Sequence, residues 1–113
     1  FHLGMEDQQY LDKMKEIHDN LIQFIDAEDD HQNEEFLKSF KNSRFLQNRN
    51  ELKVILYLIL KISNHHHRMP NFFTRIEQIF IQIQDEIKQH FSTNNLLNIF
   101  KSNKRILIFL IKS

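Results

Sequence analysis

Three consecutive histidines, His65, His66 and His67, stand before Arg68 and the chain's single proline, Pro70. Imidazole is a ligand for transition metals, but a structural site needs three or four ligands converging on one point. Consecutive residues point in different directions on any backbone, so at most two of the three serve one ion. Nothing in the spacing brings His31 or His90 to their aid. The stronger reading is a connector. Imidazoles beyond the last turn of a helix suit its exposed carbonyls, and Pro70 then stops that helix and opens the next near its first position. Asn71 can cap if that helix begins one residue later. No metal ligand is assigned.

Asp26, Glu28, Asp29 and Asp30 crowd a second polar stretch. Catalytic carboxylates need burial to shift their pKa values, whereas a charge run between helices is a solvated surface. Cysteine is absent, which removes thiolate catalysis, disulfides and cysteine zinc sites. Glycine occurs once, at Gly4. The residues Phe1–Gly4 ahead of Met5 read as an appended leader rather than part of the domain, which then spans residues 5–113. Without glycine the chain has no means to build a phosphate cradle or a dinucleotide turn. The expectation is a protein with no catalytic residues and no cofactor.

Lys101, Lys104, Arg105 and Lys112 mix with Phe100 and Phe109, a combination that can bind nucleic acid by charge and stacking. The phenylalanines fall on an apolar stripe, so core is the simpler assignment, and a nucleic-acid interface or a histidine metal site remains the alternative. Net charge is zero but uneven. Residues 1–50 hold eleven acids and six bases, and residues 51–113 four acids and nine bases, or −5 against +5. Such asymmetry steers association without reaching the basicity of a dedicated nucleic-acid binder. No apolar run approaches the ~20 residues that cross a bilayer. With the lack of cysteine, the expected location is the cytoplasm.

The elements that must position these groups are all helical. Leu11, Met14, Ile17, Leu21, Phe24 and Ile25 recur at three- and four-residue steps. A shorter helix follows "DAEDD", with Phe36, Leu37 and Phe40 inward. The polar "KNSRFLQNRN" is a connector pinned by Phe45 and Leu46. Asn48 and Glu51 form a capping box for "ELKVILYLILKIS", whose apolar residues surround the axis and predict burial on most sides. A fourth helix carries Ile76, Ile79, Phe80, Ile83, Ile87 and Phe91 on one stripe, opposite Arg75, Gln78, Gln82, Asp85, Glu86 and Gln89. Ser92–Asn95 breaks it, and "NLLNIF" forms a fifth helix. "NKRILIFLIKS" begins a sixth, whose run from Ile106 to Ile111 needs neighbours on both sides.

The stretches "KISNHHHRMPNFFTRIEQIF" and "IKQHFSTNNLLNIFKSNKRILIFLI" resemble the N-terminal helical region of trichomonad ankyrin-repeat proteins. The similarity covers roughly Leu52 to Ile111. It implies a helical head, of uncharacterised role, that precedes an ankyrin array lying beyond Ser113. Ankyrin arrays bind proteins, so the head would be a protein–protein interaction module or a cap on the array. The family supplies no catalytic residues.

The combined expectation is an all-α fold of five or six short helices in irregular antiparallel pairs, a solenoid-like bundle. Its core rests on Leu56, Ile59, Leu60, Ile79, Phe80, Ile83 and Phe100. Candidate recognition residues are His65, His66, His67 and Arg68 in one connector and Asp26, Asp29 and Asp30 in another. Ile106, Ile108, Phe109 and Ile111 form a candidate seam, for stacking on a repeat or for a homodimer. The protein partner is not identified by the sequence.

Overall fold

The computed structural model describes residues 5–28, 30–42 and 46–112, the side chains of 5–7, 30–32 and 112 excepted. Six helices follow one another: α1 (Met5–Asp26), α2 (Asp30–Lys41), α3 (Arg49–His66), α4 (Phe72–His90), α5 (Thr93–Phe100) and α6 (Lys104–Lys112). The fold is the expected all-α bundle of short helices. Phe1–Gly4 and Phe45 lie outside the described residues, but Leu46 is buried where the α2–α3 connector enters the core.

The apolar stripes decide the packing. Leu21, Phe24 and Ile25 of α1 meet Leu52, Ile55, Leu56, Ile59 and Ile62 of α3 and the predicted stripe of α4 in one buried cluster. That cluster continues through Leu96, Ile99 and Phe100 into Ile106 and Leu110. Phe24, Phe36 and Phe40 stack at centroid distances of 4.7 and 5.7 Å, which fixes α2 against the end of α1. Of the seven expected core anchors, Leu60 is only half-buried, and the other six are fully enclosed. Leu11 was expected to face inward but is exposed, because its position falls on the edge of the α1 stripe. Burial, and secondly the charge of Glu51, pushes the Tyr10 phenol above its ordinary pKa.

Two elements differ from expectation in their surroundings. Helix α3 is not enclosed on most sides: Tyr57 is 48% exposed, and Leu58 and Leu60 are half-buried. The helix in the centre is α4, which packs against α1, α2 and α3. Its polar side, opposite the apolar stripe, contributes a buried residue. Arg75 is only 4% exposed. Its Nη2 donates to the Ala27 carbonyl at 3.0 Å, its Nη1 to Gln78 Oε1 at 3.2 Å, and its guanidinium lies 5.6 Å from the Phe24 ring centre. Helix α1 has no basic residue in its own last turn. The cation that its carbonyl-rich end favours arrives from α4 instead.

The same device recurs at the other end of α4. Arg49, in the first turn of α3, donates from Nε to the His90 carbonyl at 3.1 Å and stacks 4.9 Å from the Phe91 ring. Helix α3 itself starts on Asn48, whose side chain accepts from the Asn50 and Glu51 N–H groups at 2.8 and 3.4 Å. Asn48→Ala should therefore destabilise the fold by about 1 kcal/mol, read as a lower urea midpoint at unchanged slope.

The histidine stretch departs from the sequence expectation in detail. His65 and His66 form the last turn of α3 rather than following it, and His67 is its C-cap. Pro70 lies in the turn, outside α4, and Asn71 offers no side-chain cap. Asn71 instead takes a left-handed conformation, φ 63 and ψ 8, and accepts the first helical bond of α4, from the Arg75 N–H, on its carbonyl. That backbone shape is what swings the chain from α3 into α4. An Asn tolerates it, whereas a β-carbon without a local hydrogen-bonding group pays about 1–2 kcal/mol. Asn71→Ala should lower stability by roughly 1 kcal/mol while Asn71→Gly leaves it within a few tenths. Thermal unfolding of the two variants side by side checks the difference.

Ser92–Asn95 was expected only as a break. It is a break and a start together: Phe91 is extended, and Ser92 and Asn95 form a reciprocal capping box with bonds of 3.2 and 3.1 Å. Helix α5 therefore begins at Thr93, two residues before the expected position.

Candidate interaction surface

Helix α6 is assembled from short-range signals. Asn103 accepts the Ile106 N–H on its side chain at 3.2 Å and the Leu107 N–H on its carbonyl at 3.1 Å. No acid stands in the first turn, so Lys104 and Arg105 oppose the positive end of the helix dipole. Arg105 leaves that end sideways and lies over the Phe73 ring, 3.4 Å from its centre. Phe109 packs at 5.9 Å from Phe80, two helical turns further along α4. The order of these contacts shows that α6 runs alongside α4 in the same direction, after the chain has turned back through α5.

Six successive apolar residues cannot all face inward on a helix. Ile106 and Leu110 are buried and Phe109 is partly so, whereas Ile108 and Ile111 are 51% and 49% exposed. The predicted seam is therefore divided. Ile106 is taken by the core and Phe109 packs partly against it, and Ile108 and Ile111, three residues apart, stand on the outside. Between α4 and α6 opens a cleft of about 370 Å³, with Phe73, Ile76, Phe80, Ile106 and Phe109 as its apolar lining. Ile108 stands at its edge, with Glu77 on the α4 wall and Arg105 on the α6 wall. A second cleft of about 310 Å³ flanks the far end of α6, where Leu110 and Ile111 meet Ile87, Lys88, Phe91 and Leu96.

The two connector candidates sit at one end of the molecule. The Arg75 bond to Ala27 holds the α1–α2 connector against the first turns of α4, and the α3–α4 connector leads into that same turn. Asp26, His65, His67 and Arg68 are exposed and His66 is half-exposed. Asp29 and the side chain of Asp30 lie outside the described residues. Among the described residues no three His, Asp or Glu side chains are placed to hold a metal ion.

Of the basic and aromatic mixture, Lys101, Lys104 and Arg105 are exposed, Phe100 is fully buried and Phe109 lies against Phe80. The side chain of Lys112 lies outside the described residues. Phe100 packs at 6.3 Å from Phe80 and is fully enclosed, so its ring has no open face for a base. Among the described residues no helix is long and apolar enough to cross a membrane.

Sequence reasoning missed Phe73 and Glu77 as walls of a cleft, because nothing local to α4 marks them as facing α6. Arg75 left a faint signal and Arg49 none, since α4 carries Lys88 and His90 in its own last turn whereas α1 carries no basic residue there. A helix with no basic residue in its last turn invites a search for a cation elsewhere in the chain. The chain matches no protein-family model, no curated protein and no solved structure.

Proposed function

We propose that this chain is a non-catalytic protein–protein interaction module, acting in the cytoplasm as the helical head of an ankyrin-repeat protein. The outer face of α6 and its cleft against α4 form the contact surface. The observation that carries the reading is the pair Ile108 and Ile111, half-exposed on a helix whose other face is already used, Ile108 at the apolar cleft against α4 and Ile111 at the second cleft. Covering the exposed half of each isoleucine is worth about 1–2 kcal/mol, which is enough for a recognition face but not for an isolated core. The resemblance of Leu52–Ile111 to ankyrin-repeat heads supports placing the module in such a protein. Capping of an adjoining repeat stack is the second reading, and it draws on the same two isoleucines, since a repeat needs an apolar surface to stack on.

The test compares the wild type with Ile108→Glu/Ile111→Glu as bait in native cell extract, far-UV circular dichroism verifying the fold of both. A protein retained by the wild type, lost by the variant, and binding saturably when purified supports the interaction reading. Identical captures from both baits overturn it. For the capping reading, three consensus ankyrin repeats are fused after Ser113. One shared melting transition, split into two by the same substitutions, is expected, and two independent transitions in the wild-type fusion reject capping.

A further inference from the structure

We infer that the partner seated on the α4–α6 cleft is a second copy of this chain, bound about a two-fold axis. The inference rests on the interaction reading above and names the occupant of that face. A two-fold interface brings one patch against itself, so the patch must be self-complementary. A patch of one charge sign would repel its own copy. This one carries both signs on opposite walls, Glu77 on α4 and Arg105 on α6. Both are exposed, and among the described residues neither forms an ion pair. Rotation about an axis between them places Arg105 of each copy opposite Glu77 of the other, twice over.

The apolar part agrees. Ile108 lines the cleft one turn beyond Arg105 on α6, near the level of Glu77, since Arg105 is beside Phe73 and Phe109 beside Phe80. A two-fold axis between the two charges brings Ile108 over the partner's cleft while its own cleft receives the copy. A purely acidic partner would set a like charge against Glu77, and a purely basic one would do the same to Arg105. One helix face and one cleft make a small interface, so the dimer is weak and forms at high protein concentration.

Sedimentation equilibrium of the full chain, up to ~1 mM, registers even a millimolar dissociation constant. The wild type is expected to dimerise, and Ile108→Glu to weaken it at least tenfold, since a charge would enter the apolar contact. Glu77→Arg and Arg105→Glu should each be monomeric, the first facing its copy with two cations and the second with two anions. Mixed one to one, these two variants should form a heterodimer, because every cross-contact is then opposite in sign. A wild type that stays monomeric overturns the inference, as does a dimer indifferent to Ile108→Glu or a mixture of the variants that does not associate. If the wild type is monomeric yet Ile108→Glu/Ile111→Glu still abolishes capture from extract, only the identity of the partner is wrong. If neither experiment responds to the face, the interaction reading falls with it.

Discussion

Phe80→Ala is expected to cost about 3–5 kcal/mol, a large part of what a chain of this size has. The ring is 1% exposed and joins three helices: it belongs to α4, meets Phe100 of α5 edge-on at 6.3 Å, and meets Phe109 of α6 at 5.9 Å. Truncation removes the ring's own burial and leaves a cavity that the α5–α6 hairpin can only partly close. The damage should be uneven. Amide exchange should quicken across residues 93–111 before it does so in α1, because the hairpin loses the side chain that seats it. Ile81→Ala, one residue along and half-exposed, serves as the control and should stay within about 0.5 kcal/mol. Urea unfolding of the two variants decides the matter, and a Phe80→Ala loss below ~1 kcal/mol would contradict this packing.

Arg75→Ala should be the next most damaging change, at about 2–4 kcal/mol. Its guanidinium holds the Ala27 carbonyl and Gln78 and covers Phe24, so truncation removes a charged donor from part-buried acceptors and a stem from the core. Arg75→Met should recover part of the loss, since it keeps an unbranched stem against Phe24 while giving up the hydrogen bonds. Arg75→Lys should not restore the wild type, because a single ammonium cannot reproduce the planar fork that reaches two acceptors at once. The three variants, ranked by urea midpoint, separate packing from polar pinning. Equal losses for Ala and Met would mean that the hydrogen bonds account for nearly all of the effect.

The helices were legible because their signals are local. The stripe of α4 from Ile76 to Ile87 and the Asn48 cap of α3 need no knowledge of the rest of the chain. Boundaries were legible where one side chain sets them, and less so at Asn71, where a backbone conformation does the work and the side chain stands aside. The direction of burial was harder. Arg75 occupies the polar side of α4 by period, and only the arrival of the α1 carboxyl end turns that side into an interior. The same holds for the final helix. Its six apolar residues announced a need for contacts, but which of them the core would take depended on where Phe80 and Phe100 stood. Glu77 and Arg105 carry no local mark at all, since a cleft between two helices is a property of neither.

The two arginine clasps have a bearing on how the chain can be divided. Arg75 reaches back 48 positions to Ala27, and Arg49 reaches forward 41 to His90, so the two spans overlap along the chain. A cut between the acidic first fifty residues and the basic remainder would sever both, leaving each of the two helix ends without the arginine that clasps it. The opposed charges of the halves thus do not mark two folding units. Each half supplies the other's terminators, and the chain should gain its helices and its tertiary contacts in a single cooperative step.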